Sequence, residues 1–134
     1  MGSWLFKTDP ETYSWQNLKT KKREAWDGVR NPLAQKHLRS IKKGDEILIY
    51  HSGDQKAIVG LARALSESYP DPADKAGRFA VIDLAPEKDF SKLITLSAIK
   101  SEPQLKDWEL VRMSRLSVMP VTAAQRKLLA ELSA

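Results

Sequence analysis

Cysteine is absent from the 134 residues and histidine occurs only twice, as His37 and His51. Without thiols, the chain has no thiolate metal ligand and no cysteine nucleophile. The patterns HExxH, GxSxG and GxGxxG and the phosphate-binding P-loop are also missing. His51 precedes Ser52, but adjacent residues on a strand face opposite sides, which disfavours a nucleophile pair. We therefore predict a non-catalytic protein with no metal and no cofactor.

Long hydrophobic runs are missing as well. Apolar segments such as residues 47–50 are far shorter than the roughly 20 residues needed to span a bilayer. The N-terminus has no apolar signal region, so we expect a cytoplasmic location and no membrane partner. The length predicts a single domain over residues 1–134, with a monomer as the default oligomeric state.

Positive charge is in modest excess, with 22 Lys and Arg against 17 Asp and Glu and a net charge of +5. Such a balance suits a polyanionic partner, although many soluble proteins are equally basic. Four of the cations fall within residues 19–23, directly before a tryptophan-containing run. Lys21, Lys22 and Arg23 are therefore candidate phosphate contacts, and a solvated loop is the alternative interpretation.

Short strands and short helices alternate along the chain. Strands are predicted at residues 3–7, 46–50, 57–64, 79–84, 93–94 and 114–121. Helices are predicted at residues 10–18 with Asp9 as N-cap, at 32–40, at 96–100 after Thr95, and after the capping box Thr122-Ala-Ala-Gln125. Gly60 inside a strand indicates a bulge or a close backbone approach. We predict an α+β fold whose mixed sheet curls toward a small barrel.

The run from Glu24 to Asn31 combines groups that no ordinary core segment needs. Trp26 offers a flat π-face, Gly28 permits a close backbone approach, and Arg30 and Asn31 carry planar donor arrays suited to base edges or phosphates. We interpret this run as the lining of a nucleobase pocket. The alternative is that Trp26 is a core residue before a turn at Asp27-Gly28.

Linked motifs run in order over nearly the whole chain. They are Trp4-Leu-Phe-Lys-Thr-Asp-Pro10, Trp26-Asp-Gly-Val-Arg-Asn31, Leu38-Arg39, Lys43-Gly-Asp45, Tyr50-His-Ser52, Ile58-Val-Gly60, Tyr69-Pro-Asp-Pro72 and Ser114-Arg-Leu-Ser-Val-Met-Pro-Val121. Together they resemble an EVE domain, a member of the PUA-like superfamily that also includes PUA, ASCH and YTH domains. The resemblance implies a small β-barrel with flanking helices, in agreement with the predicted curled sheet.

The resemblance implies a reader of modified nucleobases in DNA or RNA, with modified cytosine as the leading candidate. On this analogy Trp26 stacks on the base, while Asp27, Asn31 and the backbone at Val29 read its Watson–Crick edge. Further residues are expected to frame the mouth and hold the nucleic-acid backbone, namely Lys7, Arg30, His51, Ser52, Arg115, Leu116 and Ser117.

The chain departs from many relatives around the predicted pocket. Pro32 stands where a tyrosine is frequent, and Ala34-Gln35-Lys36 replaces Ala-Arg-Asn. Two other functions stay open. Some ASCH relatives resemble amidohydrolases acting on acylated cytidine, for which Lys7 and Asp27 would be the candidate acid–base pair. A protein-interaction module with an incidental pocket is the third interpretation.

Overall fold

The computed structural model describes residues 2–134. These residues form a sheet with helices around it. The elements in chain order are β1 (Ser3–Thr8), α1 (Trp15–Lys21), β2 (Glu24–Trp26), α2 (Pro32–Ser40), β3 (Glu46–His51), β4 (Ala57–Ala64), β5 (Tyr69–Pro70), β6 (Ala80–Thr95), α3 (Leu96–Lys100), α4 (Glu109–Arg112), β7 (Val118–Val121) and α5 (Ala123–Leu132).

The strands form one mixed, curled sheet in the order β2-β6-β4-β3-β1-β7, with β5 paired to β6. β1 runs parallel to β3, and the other pairings are antiparallel. The long strand β6 pairs with β4 along most of its length and also carries β2 and β5 near its start. This arrangement confirms the predicted α+β fold with a curled mixed sheet.

The core lies where the central strands meet the helices. Residues 47–51 of β3 are all buried, as expected for a strand covered on both faces. Phe6, Leu38 and Trp108 are fully or almost fully buried. The Trp108 indole also donates a hydrogen bond to the carbonyl of Pro120, at 3.1 Å, which ties the segment before α4 to β7.

Helix starts are set by short capping side chains. Asn31 precedes Pro32 at the start of α2, and its Oδ1 accepts the backbone N–H groups of Leu33 and Ala34 at 2.9 and 3.0 Å. Thr95 caps α3, and the capping box between Thr122 and Gln125 opens α5. The predicted starts of these three helices are confirmed.

The predicted N-cap of the first helix is wrong. The Asp9 carbonyl accepts the N–H groups of Thr12 and Tyr13, so this segment forms a turn. The helix begins at Trp15, with Ser14 and Asn17 forming a reciprocal capping box. Asp9-Pro10 matched the usual start signal, but Ser14, five residues later, accepts the Asn17 N–H and caps the helix.

Gly60 allows the sheet to approach α1 closely. The pairing of β4 with β3 and with β6 shifts register beside this residue, and a Cβ at position 60 would overlap the Trp15 indole. The indole is fixed by a hydrogen bond from its Nε1 to Asp89 Oδ1 at 2.6 Å. Both parts of the prediction for Gly60, the bulge and the close approach, are confirmed.

Candidate functional site

Trp26 is both a core residue and a cavity wall. It ends β2, where it pairs with Ile82 of β6. Its ring packs against Phe6 and Tyr13, with ring centroids 5.4 and 5.7 Å away, the latter edge to face. Only 8% of the residue is exposed, so the indole forms a wall of a hollow and does not stand free at its lip. The interpretation of Trp26 as a core residue is therefore confirmed, and its contact with a base stays a prediction.

A cavity of about 530 Å³ adjoins this ring, and we call it the base cavity. It lies between the end of β1, the turn that follows β1 and the run from Glu24 to Val29. Its lining residues are Lys7, Thr8, Asp9, Thr12, Tyr13, Glu24, Ala25, Trp26, Asp27, Gly28, Val29 and Ser117. Five of the predicted site residues are thus brought together, namely Lys7, Trp26, Asp27, Val29 and Ser117.

Lys7 and Ser117 lie 110 positions apart in sequence but are close in space because β1 and β7 are neighbouring strands. β7 pairs antiparallel with β1, and the Lys7 N–H continues this pairing by donating to the Ser117 carbonyl at 2.9 Å. The two side chains consequently reach the same end of the sheet.

A buried glutamine holds the rim of the base cavity. Gln35 of α2 donates from Nε2 to the carbonyls of Val29 and Ala80, at 2.8 and 3.1 Å, and its Oε1 accepts the Ala80 N–H at 2.9 Å. Gly28 adopts a φ of +78°, the left-handed conformation that glycine tolerates without steric cost. The segment after Trp26 is therefore anchored to α2 and β6 at once.

The Lys7 ammonium is tied to the backbone. Its Nζ donates to the Ser114 carbonyl at 2.7 Å and lies 5.9 Å from the centre of the Tyr50 ring. Burial lowers the pKa of Lys7 from its usual value. Lys7 and Asp27 line the same cavity, but the partner of the ammonium is this carbonyl.

Tyr13 contributes a polar group that the sequence interpretation missed. Its hydroxyl is buried and, within residues 2–134, has no hydrogen-bond partner. Burial, followed by the nearby Glu24 carboxylate, raises the pKa of Tyr13 to about 12. Glu24 accepts from Lys21 Nζ at 2.8 Å. The hydroxyl is neutral, and the side chain that carries it lines the base cavity.

Other predicted residues lie outside the base cavity. His51 is buried; its Nε2 accepts the Trp15 N–H at 2.9 Å, and its Nδ1 lies 2.6 Å from Gln55 Oε1. A ring protonated at Nδ1 satisfies both contacts, so this histidine is a core residue. Leu116 is also in the core, and Ser52 lines a neighbouring cavity.

Asn31, which was expected to read a base edge, caps α2 through its Oδ1. The same contacts occupy two of the N–H groups at the start of the helix. Those two N–H groups are therefore not free to bind a phosphate.

The predicted phosphate contacts differ in how far they are neutralised. Lys21 pairs with Glu24 at 2.8 Å, and Arg23 pairs with Asp83 at 2.7 Å. The Arg30 guanidinium lies 4.3 Å from the centre of the Phe79 ring, in a cation–π contact. Lys22 and Arg115 are exposed. Contact of these five side chains with phosphate stays a prediction.

No helix within residues 2–134 has the length and apolar character needed to cross a membrane.

The curled sheet and its flanking helices define a PUA-like fold. An ASCH protein from Zymomonas mobilis shares this fold with a TM-score of 0.61 at 12% identity, covering 98% of this chain and 95% of that one. Within that class the chain belongs to the EVE domain family, whose profile matches residues 3–132. The resemblance found from the motifs is therefore confirmed.

Several relatives are much more similar. A Rhodopseudomonas palustris protein has a TM-score of 0.94 at 41% identity, covering 99% of this chain and 93% of that one. Human thymocyte nuclear protein 1 is 30% identical over 153 aligned positions, spanning 89% of this chain and 68% of the human protein. A crystal structure of that human protein in complex with DNA containing 5-methylcytosine has a TM-score of 0.90 at 29% identity, covering 99% of this chain and 98% of the crystallised one.

Proposed function

We propose that this EVE domain is a non-catalytic module that binds a nucleic-acid strand and takes one modified base, foremost a modified cytosine, into the base cavity. The observation that carries the proposal is a cavity of about 530 Å³ walled by Trp26 and Tyr13, with a buried hydroxyl that lacks a partner within residues 2–134. The human relative solved with DNA containing 5-methylcytosine supports the same function.

The size and chemistry of the base cavity suit a flipped base. Ligand pockets commonly enclose about 300–1,000 Å³. Stacking on an aromatic side chain is worth roughly 1–3 kcal/mol per base, and extruding a base costs a few kcal/mol. Only a small part of Trp26 faces the cavity, so hydrogen bonds must add to this stacking. The Tyr13 hydroxyl and the Asp27 carboxylate supply a donor and an acceptor there.

Binding is favoured over acid–base catalysis by the contact of Lys7. A general acid or base must reach the reacting group, yet this ammonium is bound to the Ser114 carbonyl at 2.7 Å. The similarity to the ASCH protein, at 12% identity, extends to the fold alone. A protein-interaction module has no specific observation in its favour, since the cavity is open and not filled by the chain's own side chains.

Titration of matched strands tests the proposed function. Single-stranded DNA and RNA oligonucleotides that differ only in carrying cytosine, 5-methylcytosine or another modified base are compared by fluorescence anisotropy at one fixed salt concentration. We expect at least one modified strand to bind about tenfold tighter than its unmodified counterpart, because contacts to the base are specific whereas contacts to phosphate are not. Equal affinity across the whole panel would contradict base recognition.

Tyr13→Phe isolates the unpaired hydroxyl. Losing one hydrogen bond costs about 0.5–1.5 kcal/mol, so affinity for the preferred strand should fall roughly 2- to 13-fold. The free energy of unfolding should not fall, because the variant removes a buried hydroxyl that has no partner within the described chain. Anisotropy and urea denaturation measure the two quantities.

Tyr69→Phe is the matched control. The Tyr69 hydroxyl donates to Asp83 Oδ1, and Tyr69 does not line the base cavity. That variant should lose stability and keep its affinity. If Tyr13→Phe bound the preferred strand as well as the unmodified protein does, the assignment of its hydroxyl to the base would be wrong.

A further inference from the structure

A second, smaller cavity lies directly beside the base cavity. It encloses about 270 Å³, slightly below the usual range for small-ligand sites. We call it the flanking cavity and define it by Lys7, Tyr50, Ser52, Lys56, Lys100 and Val111, which are among its lining residues. Lys7 lines both cavities, so the two cavities share this residue.

The flanking cavity has cationic edges and an apolar interior. Lys7, Lys56 and Lys100 line it, and no carboxylate does so among the residues that the structure describes. Its other walls include Leu96, Leu110 and Val111 beside the ring of Tyr50. Apolar walls accept a sugar or a base, whereas the lysines attract phosphate.

Lys56 and Lys100 differ from three of the four cations that precede Trp26. Both side chains are exposed, and neither forms an ion pair within residues 2–134, whereas Lys19, Lys21 and Arg23 all pair with carboxylates. The same two lysines also line a third, more open hollow of about 560 Å³, which includes Asp54 as its one carboxylate among the described lining residues. Unpaired positive charge therefore continues away from the base cavity on this side.

We propose that the flanking cavity holds the nucleotide next to the recognised base in the same strand, with Lys56 and Lys100 contacting the phosphates that follow. This inference rests on the proposed function and adds the path of the strand to it. A neighbouring nucleotide is the one ligand that must lie adjacent to a bound base, and it carries both the apolar and the anionic groups that this cavity suits.

The double variant Lys56→Gln/Lys100→Gln tests this path. Its matched control is Lys75→Gln/Lys127→Gln, which removes the same charge from exposed lysines that line neither cavity. We expect the test variant to bind a ten-nucleotide strand about tenfold more weakly than the control at low salt. The slope of log affinity against log salt should fall by about 1.4, because each lost phosphate contact on a single strand contributes about 0.7.

Oligonucleotides extended in only one direction test on which side of the recognised base the flanking cavity lies. One set of oligonucleotides extends from the modified base only toward the 5′ end, and a second set extends only toward the 3′ end. We expect the lysine variant to weaken one set and to leave the other, and a single modified nucleoside, unchanged. Val111→Phe, which fills the flanking cavity without changing charge, should weaken the same set; circular dichroism verifies that this variant is folded.

The outcomes separate the two proposals. In the first case the protein still prefers the modified strand, but Lys56→Gln/Lys100→Gln binds like its control or weakens both oligonucleotide sets equally. The proposed strand path is then wrong, and the proposal for the base cavity stands. If modified and unmodified strands bind equally while the lysine variant still weakens one set, base recognition is wrong and the phosphate contacts stand. Failure of the unmodified protein to bind any strand would overturn both.

Discussion

Trp26→Ala is expected to lower affinity for the preferred modified strand roughly 5- to 150-fold. The expectation follows from the loss of about 1–3 kcal/mol of stacking when an aromatic wall is removed. Affinity for the unmodified strand should change less, so the ratio of the two affinities should approach one. Anisotropy titrations of both strands at the same salt concentration measure this ratio.

The same substitution should also destabilise the fold. Trp26 is 8% exposed and packs on Phe6 and Tyr13, and a truncation of this kind costs about 3–5 kcal/mol. Trp108→Ala is the matched control, because Trp108 is buried to a similar degree but does not line the base cavity. The binding titrations are done at a temperature at which circular dichroism shows that both variants are folded. Equal affinity of the two variants for the modified strand would remove Trp26 from the proposed site.

Gly60→Ala is expected to cost stability at the junction of β4 and α1, by about 1–3 kcal/mol or more. The added Cβ would overlap the Trp15 indole. The indole cannot move freely because Nε1 is bound to Asp89 and the Trp15 N–H is bound to His51. Urea denaturation followed by circular dichroism measures the change in the free energy of unfolding.

A double variant separates this steric clash from a general effect of position 60. Trp15→Phe shortens the ring that the new Cβ meets, at the cost of the hydrogen bond to Asp89. Gly60→Ala/Trp15→Phe should therefore be less destabilised than the sum of the two single variants, with a coupling of about 0.5–3 kcal/mol. Simple additivity would show that the glycine is needed for another reason.

Local signals along the chain were sufficient for most of the fold. Helix starts are marked by Asn31, Thr95 and Thr122, because their side-chain oxygens accept backbone N–H groups within three residues. Pro32 fits the first helical position because the N–H that it lacks would have no partner in the helix. The hairpin of β3 and β4 follows from two apolar runs separated by a polar turn. Each of these features depends on groups that are close in sequence.

The site was predictable only in part, because it depends on distant contacts. The run around Trp26 is unusual in itself, whereas Lys7 and Ser117 were associated with it through the family resemblance. In sequence, His51 follows an apolar run and resembles a cleft residue. In the structure its Nε2 accepts a hydrogen bond from the Trp15 N–H of α1. Tyr13 is the converse case, since no pattern in sequence reveals that a tyrosine hydroxyl will be buried without a partner in the described structure.

The hydrogen bonds of Gln35 affect the rate at which the base cavity binds a base. A loop that becomes ordered only when it binds its ligand loses conformational entropy on binding, which lowers the affinity. Here the Gln35 carboxamide already binds the backbone of Val29 and Ala80, so the segment after Trp26 loses little conformational entropy on binding. Encounter with a strand should therefore be limited by how often a base leaves its stack and not by rearrangement of the protein.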